Sequence, residues 1–292
     1  MGNTVNAINP FDVENGMTEA MHFIMENEAE PPEWMRHSST LSDKDGRTMA
    51  MYWIIYVKTE PPEWMRHDIT LCNNNGRTLA MLWIQFVQTE PPQWMRYCIA
   101  QKDRHGRTMA MYWIMYVKTE PPEWMMHDLT LGDKNGLTMA MYWIVHVKIE
   151  PPISLRHHIA LGNNNGWTMA MLWILEVKTA PPKWMRHCNT FSNNKGLTMA
   201  MIWIVNVKAE PPEWMRHDIK LGDNDGTTMA MFWIQFVQTE PPLWMRHDIS
   251  VTDKKGGIMA DYWRLYVRSK PPEWMNNEKS FWKRLLWKLY VF

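Results

Sequence analysis

Net charge is the first thing this chain lacks: 31 basic residues balance 31 acidic ones, so no overall field draws in nucleic acid or an anionic membrane. Cysteine is scarce as well. The three present, Cys72, Cys98 and Cys188, are odd in number and unrelated in position, which fits neither a disulfide framework nor a zinc-ligand spacing. They suit a reducing, cytoplasmic setting instead. No run of about 18 apolar residues occurs, so no transmembrane segment is expected. The opening "MGNTVNAINPFDVENG" has no apolar core of the kind that directs secretion. Gly2 invites N-myristoylation, but Asn6 stands where that signal has Ser or Thr. Proline outside one fixed context is missing too: apart from Pro10, every proline belongs to a Pro-Pro pair.

Those pairs reveal what the chain does have. They begin at 31, 61, 91, 121, 151, 181, 211, 241 and 271, and glycine stands at 16, 46, 76, 106, 136, 166, 196, 226 and 256, a period of 30 residues without insertion. In stacked arrays each unit contacts mainly its neighbours, so one core continues without a linker. The expected organisation is a leader at 1–11, nine units over 12–277 forming one domain, and a distinct segment at 278–292. Below, column 56 denotes Tyr56 and its equivalents at 30-residue intervals.

The run "TMAMYWIIYVK" at 48–58 is rich in strand formers. Comparison among the units decides otherwise. Columns 49, 50, 53, 54 and 57 hardly change, whereas 52, 55 and 56 do, and spacings of one and three are those of a helix with two faces. A helix of two to three turns is predicted from Thr48, whose hydroxyl caps its start, to about Lys58, before the double proline. "PPEWMRH" reads as the opening of a second, shorter helix that carries Trp64 inward. "DITL" then extends to "CNNNG", where Asx side chains and a glycine at positive φ turn the chain back.

"DKDGRTMAMYWI", a helix and then "DITL" resemble the ankyrin repeat, with its D-x-x-G-x-T opening, paired antiparallel helices and β-turn finger. The units also resemble a divergent ankyrin-like subgroup in which "DG-x-T-x-AM" alternates with "PP-x-x-W-x-H-D". The resemblance spans about residues 12–277 and implies an all-α solenoid whose first helices and turn fingers line a protein-binding groove. The unit is shorter than the usual ~33 residues, Trp53 and Ile54 replace a small Leu-Ala pair, and no glycine separates the helices.

Few constellations suggest chemistry. Histidine recurs at 37, 67, 127, 157, 187, 217 and 247, but units about 10 Å apart cannot bring one column to a single metal centre, so these residues are read as structural. "DKDG" at 43–46 echoes a calcium loop without its closing glutamate, and a turn accounts for it. Polar groups form ladders, whereas an active site joins unlike groups at one point, so no enzyme activity and no cofactor are expected. Tryptophan falls eight times in column 53 and eight times in column 64, of 19 in all. Stacked aromatics suit single-stranded nucleic acid, but steady apolar columns with methionine around them are more often core. The Glu60 column is expected to be offset by the Lys58 and Arg66 columns.

Function is sought where units differ. Column 56 runs Tyr56, Phe86, Tyr116, His146, Glu176, Asn206, Phe236 and Tyr266, and column 47 includes Arg47, Arg77, Arg107 and Trp167. Aromatic residues and arginine anchor protein interfaces, so these residues are the candidate partner-binding site of a non-enzymatic scaffold. Unselected drift between duplicated units is the bland account, a nucleic-acid or ligand binder the second, a passive spacer the third. The tail "NNEKSFWKRLLWKLYVF" has Phe281, Leu285, Leu286 and Leu289 at helical spacing among Lys283, Arg284 and Lys288. It is read as a capping helix, with contact to a membrane surface as the rival.

Overall fold

A computed structural model describes residues 16–38, 40–66, 71–126, 132–156, 162–186, 191–216, 219–246 and 249–275. The expected leader, the tail helix, most of the returning "DITL" segments and the side chains of the histidine column lie outside them. The chain divides into two compact units, Met1–Val147 and Lys148–Phe292. The first contains α1 (Glu19–Asn27), α2 (Met49–Tyr56), α3 (Leu79–Phe86), α4 (Met109–Tyr116) and α5 (Met139–His146). The second contains α6 (Met169–Glu176), α7 (Met199–Val207), α8 (Met229–Phe236) and α9 (Met259–Tyr262), which widens to π geometry over Trp263–Val267. Successive helices pack on each other within each unit. Among the described residues no strand exceeds an isolated bridge, so each unit is an all-α repeat solenoid.

The helices start where expected, but Thr48, the expected cap of α2, makes no side-chain cap hydrogen bond. Thr78, Thr108, Thr138, Thr168, Thr198 and Thr228 accept a hydrogen bond from the backbone N–H three residues on, an arrangement that stabilises a helix by about 1 kcal/mol. Their C-termini close by a device that proline does not explain. Lys58, Gln88, Lys118 and their equivalents adopt positive φ, 60° at Lys58, and the Lys58 N–H reaches the Trp53 carbonyl at 3.2 Å. A side chain there costs about 1 kcal/mol relative to glycine. The indole N–H of Trp53 locks the same corner by donating to Thr59 at 3.0 Å.

Burial is broader than two faces. Met49, Ala50, Met51, Tyr52, Trp53 and Ile54 are all buried, because a helix between two others is covered on both sides. Column 52 therefore varies inside the core, and Val57, one of the steady positions, is only half-buried. The predicted second helix is a single 3-10 turn at Glu63–Met65. Trp64 is half-buried rather than inward, and Met65, 4% exposed, enters the core in its place. Two prolines remove successive N–H donors and leave too little chain before the next turn for helical bonds to propagate.

Between helices, Asp43 builds the turn. Its Oδ1 accepts from the N–H groups of Asp45 and Arg47 at 2.9 and 2.7 Å, and Gly46 sits at φ 73°. The next turn docks directly on it: the Asn74 N–H donates to the Asp45 carbonyl at 2.8 Å, and Asn74 Nδ2 to the Lys44 carbonyl at 2.7 Å. A Cβ on Gly46 would lie 2.9 Å from the Asn74 nitrogen. Gly256 keeps its positive φ of 80° with nothing within 4 Å, so in the last repeat only the backbone shape requires glycine.

The first and last described α-helices carry charged residues at positions that are apolar in the others. Glu19 stands in column 49, elsewhere methionine or leucine, and α9 carries Asp261 and Arg264 in columns 51 and 54, where α8 buries Met231 and Ile234 completely. Asp261 and Arg264 are exposed and paired at 3.0 Å. Restoring the internal pattern with Asp261→Met and Arg264→Ile is expected to create an apolar end and concentration-dependent association, measured by sedimentation. A second outcome concerns column 59. Trp203 has Ala209 in place of the usual threonine, and its indole N–H is buried without a hydrogen-bond partner. Ala209→Thr is expected to raise stability by about 1 kcal/mol in urea denaturation.

Candidate functional site

The turn before each helix and the side chains in the helix's second half meet through column 52. Tyr52 donates its hydroxyl to Asp43 Oδ2 at 2.8 Å, and Tyr112, Tyr142 and Tyr262 do the same to Asp103, Asp133 and Asp253 at 3.0, 2.9 and 2.9 Å. Where the turn begins with Asn73, Asn163 or Asn193, column 52 is Leu82, Leu172 or Ile202. An Asp uses its first oxygen on the turn and offers the second to a phenol, while an Asn presents an amide there, and a phenol opposite it is replaced by an aliphatic group. Among the turns that begin with Asp or Asn, only Asp223 with Phe232 departs from this pairing. Sequence reading missed these residues because it treated each column alone; the signal was two columns changing together.

Column 56 lies on this platform. Tyr56 stacks on Tyr52 with centroids 5.9 Å apart, Tyr116 packs on Tyr112 at 5.8 Å and His146 on Tyr142 at 5.5 Å. In the second unit Phe236 lies 6.1 Å from Phe232 and Tyr266 lies 6.0 Å from Tyr262. Glu176 pairs with Lys148 at 3.1 Å, and Asn206 donates to the Ile202 carbonyl at 2.8 Å. These residues and Phe86 are half-buried.

Column 47 approaches from the turn side. Arg47 pairs with Asp45 at 3.0 Å, Arg77 reaches Gln85 at 3.3 Å, and the Arg107 charge acts on the Tyr142 phenol of the next repeat. Trp167 is half-buried in its turn. Thus columns 47 and 56 border one surface, joined by column 52. In the ninth repeat Gly257 supplies no side chain at column 47, and a cavity of about 330 Å³ opens among Thr227, Gly257, Tyr262, Leu265 and Tyr266.

A second ladder lies beyond the helix C-termini, where the sequence placed Trp64 in the core. In the first unit Arg66 pairs with Glu60 at 2.9 Å, its guanidinium lies 4.9 Å over Trp94, and the Trp94 indole donates to the same Glu60 at 2.7 Å. Glu30, Arg36 and Trp64 repeat this triangle, as do Glu90, Arg96 and Trp124. In the second unit it recurs at Glu150, Arg156 and Trp184, at Glu210, Arg216 and Trp244, and at Glu240, Arg246 and Trp274. Arginine therefore offsets the glutamate ladder, as expected. Lysine does not: Lys58 forms no ion pair among the described residues.

Metal chemistry has no foothold in what is described: no cluster of three His, Cys, Asp or Glu could hold an ion, and both Asp43 oxygens already accept hydrogen bonds. Cys72 is an exposed free thiol. No helix of the described residues is long and apolar enough to cross a membrane. Compared with known family models and with curated proteins, the chain matches none.

Burial, reinforced by the adjacent Asp43 and Asp253 carboxylates, pushes the phenols of Tyr52 and Tyr262 up to about 12, and those of Tyr112 and Tyr142 rise further for the same reasons. A group whose pKa is raised by folding stabilises the native state fully below its unfolded value, about 10 for tyrosine, and loses that contribution as pH climbs through the folded one. Stability is expected to fall steeply between pH of about 10 and 12 in denaturation followed by circular dichroism. Tyr142→Phe should be less stable at neutral pH by about 1–3 kcal/mol, because Asp133 loses a buried donor, and its alkaline decline should be shallower.

Proposed function

We propose that this chain is a non-enzymatic, ankyrin-like repeat scaffold that binds a protein partner through columns 47 and 56. One observation carries the reading: from the second repeat to the ninth the column-56 side chain is half-buried at the same place in the repeat, yet it ranges from tyrosine and phenylalanine to histidine, glutamate and asparagine. A fixed frame with changing side chains is what recognition of an irregular surface requires, and the arginines of column 47 border the same face. Polar groups there recur as like pairs instead of converging as unlike ones, which favours binding over catalysis. No cofactor enters this reading. The exposed Cys72 thiol suits a reducing, cytoplasmic location.

Two observations favour this reading over a nucleic-acid binder. Arginine guanidinium groups lie 4.3–4.9 Å over seven of the eight column-64 tryptophans, so one face of each of those rings is engaged, and the column-53 rings are buried; Trp34, 60% exposed, has no arginine over it among the described residues. A spacer would leave column 56 without consequence, and that distinction is testable. Tyr56→Ala, Phe86→Ala and Tyr116→Ala combined should weaken capture of a specific protein from cells that express the chain by about 30-fold or more, with the chain still folded and its melting temperature lowered only by the loss of the two ring contacts and of partly buried area. Glu63→Ala, on the exposed 3-10 turn, serves as the control. Equal capture by all three proteins would remove columns 47 and 56 from consideration.

A further inference from the structure

One arginine in the second ladder keeps its place but has lost its acid. The Arg186 Nε donates to the Pro181 carbonyl at 3.0 Å, and its guanidinium lies 4.5 Å over the Trp214 ring. Arg156 and Arg246 are held by the same two contacts, at 2.9 and 3.0 Å to the carbonyl and 4.7 and 4.3 Å to the ring. Those two, with Arg36, Arg66, Arg96 and Arg216, also place Nη2 2.8–2.9 Å from a glutamate six residues earlier. Six residues before Arg186 stands Ala180, exposed and without a carboxylate. Arg186 makes no ion pair among the described residues. Lys183 also replaces the glutamate found at 33, 63, 123, 213 and 273, so this rung has gained a cation where others carry an anion.

We propose that Arg186, opposite Ala180, is a receptor for a glutamate or aspartate side chain of a protein partner, which takes the position that glutamate fills in the other rungs. Six rungs of the same chain show what that position accepts: one carboxylate oxygen on a guanidinium backed by a ring and, in every one but Arg216, by a proline carbonyl. The guanidinium is ordered before the ligand arrives, so the incoming carboxylate gains charge-assisted hydrogen bonds without first ordering the arginine. The exposed Lys178, Lys183 and Lys208 bear positive charge on the same and the following repeat, which favours approach of an acidic segment. Simple decay of a rung looks different. Met126 and Ser154 stand where arginine and tryptophan would be, so there the cation and the ring are gone together and only Glu120 of the three is kept. At Arg186 both remain and only the acid is missing.

The site shares no residue with columns 47 and 56, so either reading can fail without the other. The test uses the whole chain labelled with nitrogen-15 and follows the arginine Nε–H signals, assigned with Arg186→Met. A blocked Gly-Glu-Gly peptide should shift the Arg186 signal saturably, Gly-Gln-Gly should not, and Arg156, with Glu150 in place, should stay still. Ala180→Glu supplies an internal carboxylate: Arg186 should then resemble Arg156, and peptide affinity should fall about tenfold or more. Unchanged signals from the other arginines show that the fold is retained. Equal responses at Arg186 and Arg156, a response that survives Ala180→Glu, or tighter binding of inorganic phosphate than of the glutamate peptide would each overturn the proposal.

Discussion

An eight-residue helix with no polar face is the constraint on which this protein depends. Isolated helices shorter than about 12–15 residues are marginal in water, and Met109–Tyr116 is half that length or little more. Six of its residues, Met109 to Ile114, are buried, so the helix exists only because another covers each side. Stability is therefore a property of neighbours, as in other stacked arrays. It also explains why the exposed edges are so polar: the glutamate, arginine and tryptophan triangles and the docked turns surround helices that have no hydrophilic surface of their own.

Stacking alone would leave the helices free to slide and rotate, since methionine and alanine surfaces discriminate weakly. Directional bonds at both ends remove that freedom. At the turn, Asn74 grips two carbonyls of the preceding unit; past the helix, Trp94 reaches back to Glu60 while Arg66 lies over its ring. Each surface ion pair contributes little by itself, being about a third to a half exposed. Their value is positional. Two tethers fix the angle between repeats and leave columns 47 and 56 in a repeating frame.

Much of this was legible in the sequence because it depends on local chemistry. Thr78 ahead of an apolar run signals a capped helix, and Gly46 after Asx residues signals a turn with positive φ; neither needs a partner to be recognised. Trp64 misled for the opposite reason. Its partners, Glu30 and Arg36, lie a full repeat earlier, so composition suggested core while the indole N–H and the ring face were satisfied at the surface. Lys58 gave no warning of positive φ, because the Trp53 carbonyl that requires it imposes backbone shape, not side-chain type. The linkage of Asp43 to Tyr52 was present in the sequence and visible only when two columns were compared pairwise.

In a chain built by repetition, structural demand and functional demand separate by different signatures. What the fold needs recurs, and in three repeats its loss is accompanied by loss of the group it served: Asn73, Asn163 and Asn193 in the turn go with an aliphatic residue in column 52. A departure that leaves a partner behind has no such account. Ala180 leaves Arg186 on its ring, and Ala209 leaves the Trp203 indole N–H without an acceptor. The two differ in exposure, which decides their meaning. Trp203 is buried, so its missing bond can only cost stability. Arg186 faces an exposed alanine and gains a neighbouring lysine, so its missing bond is open to a group from outside the chain.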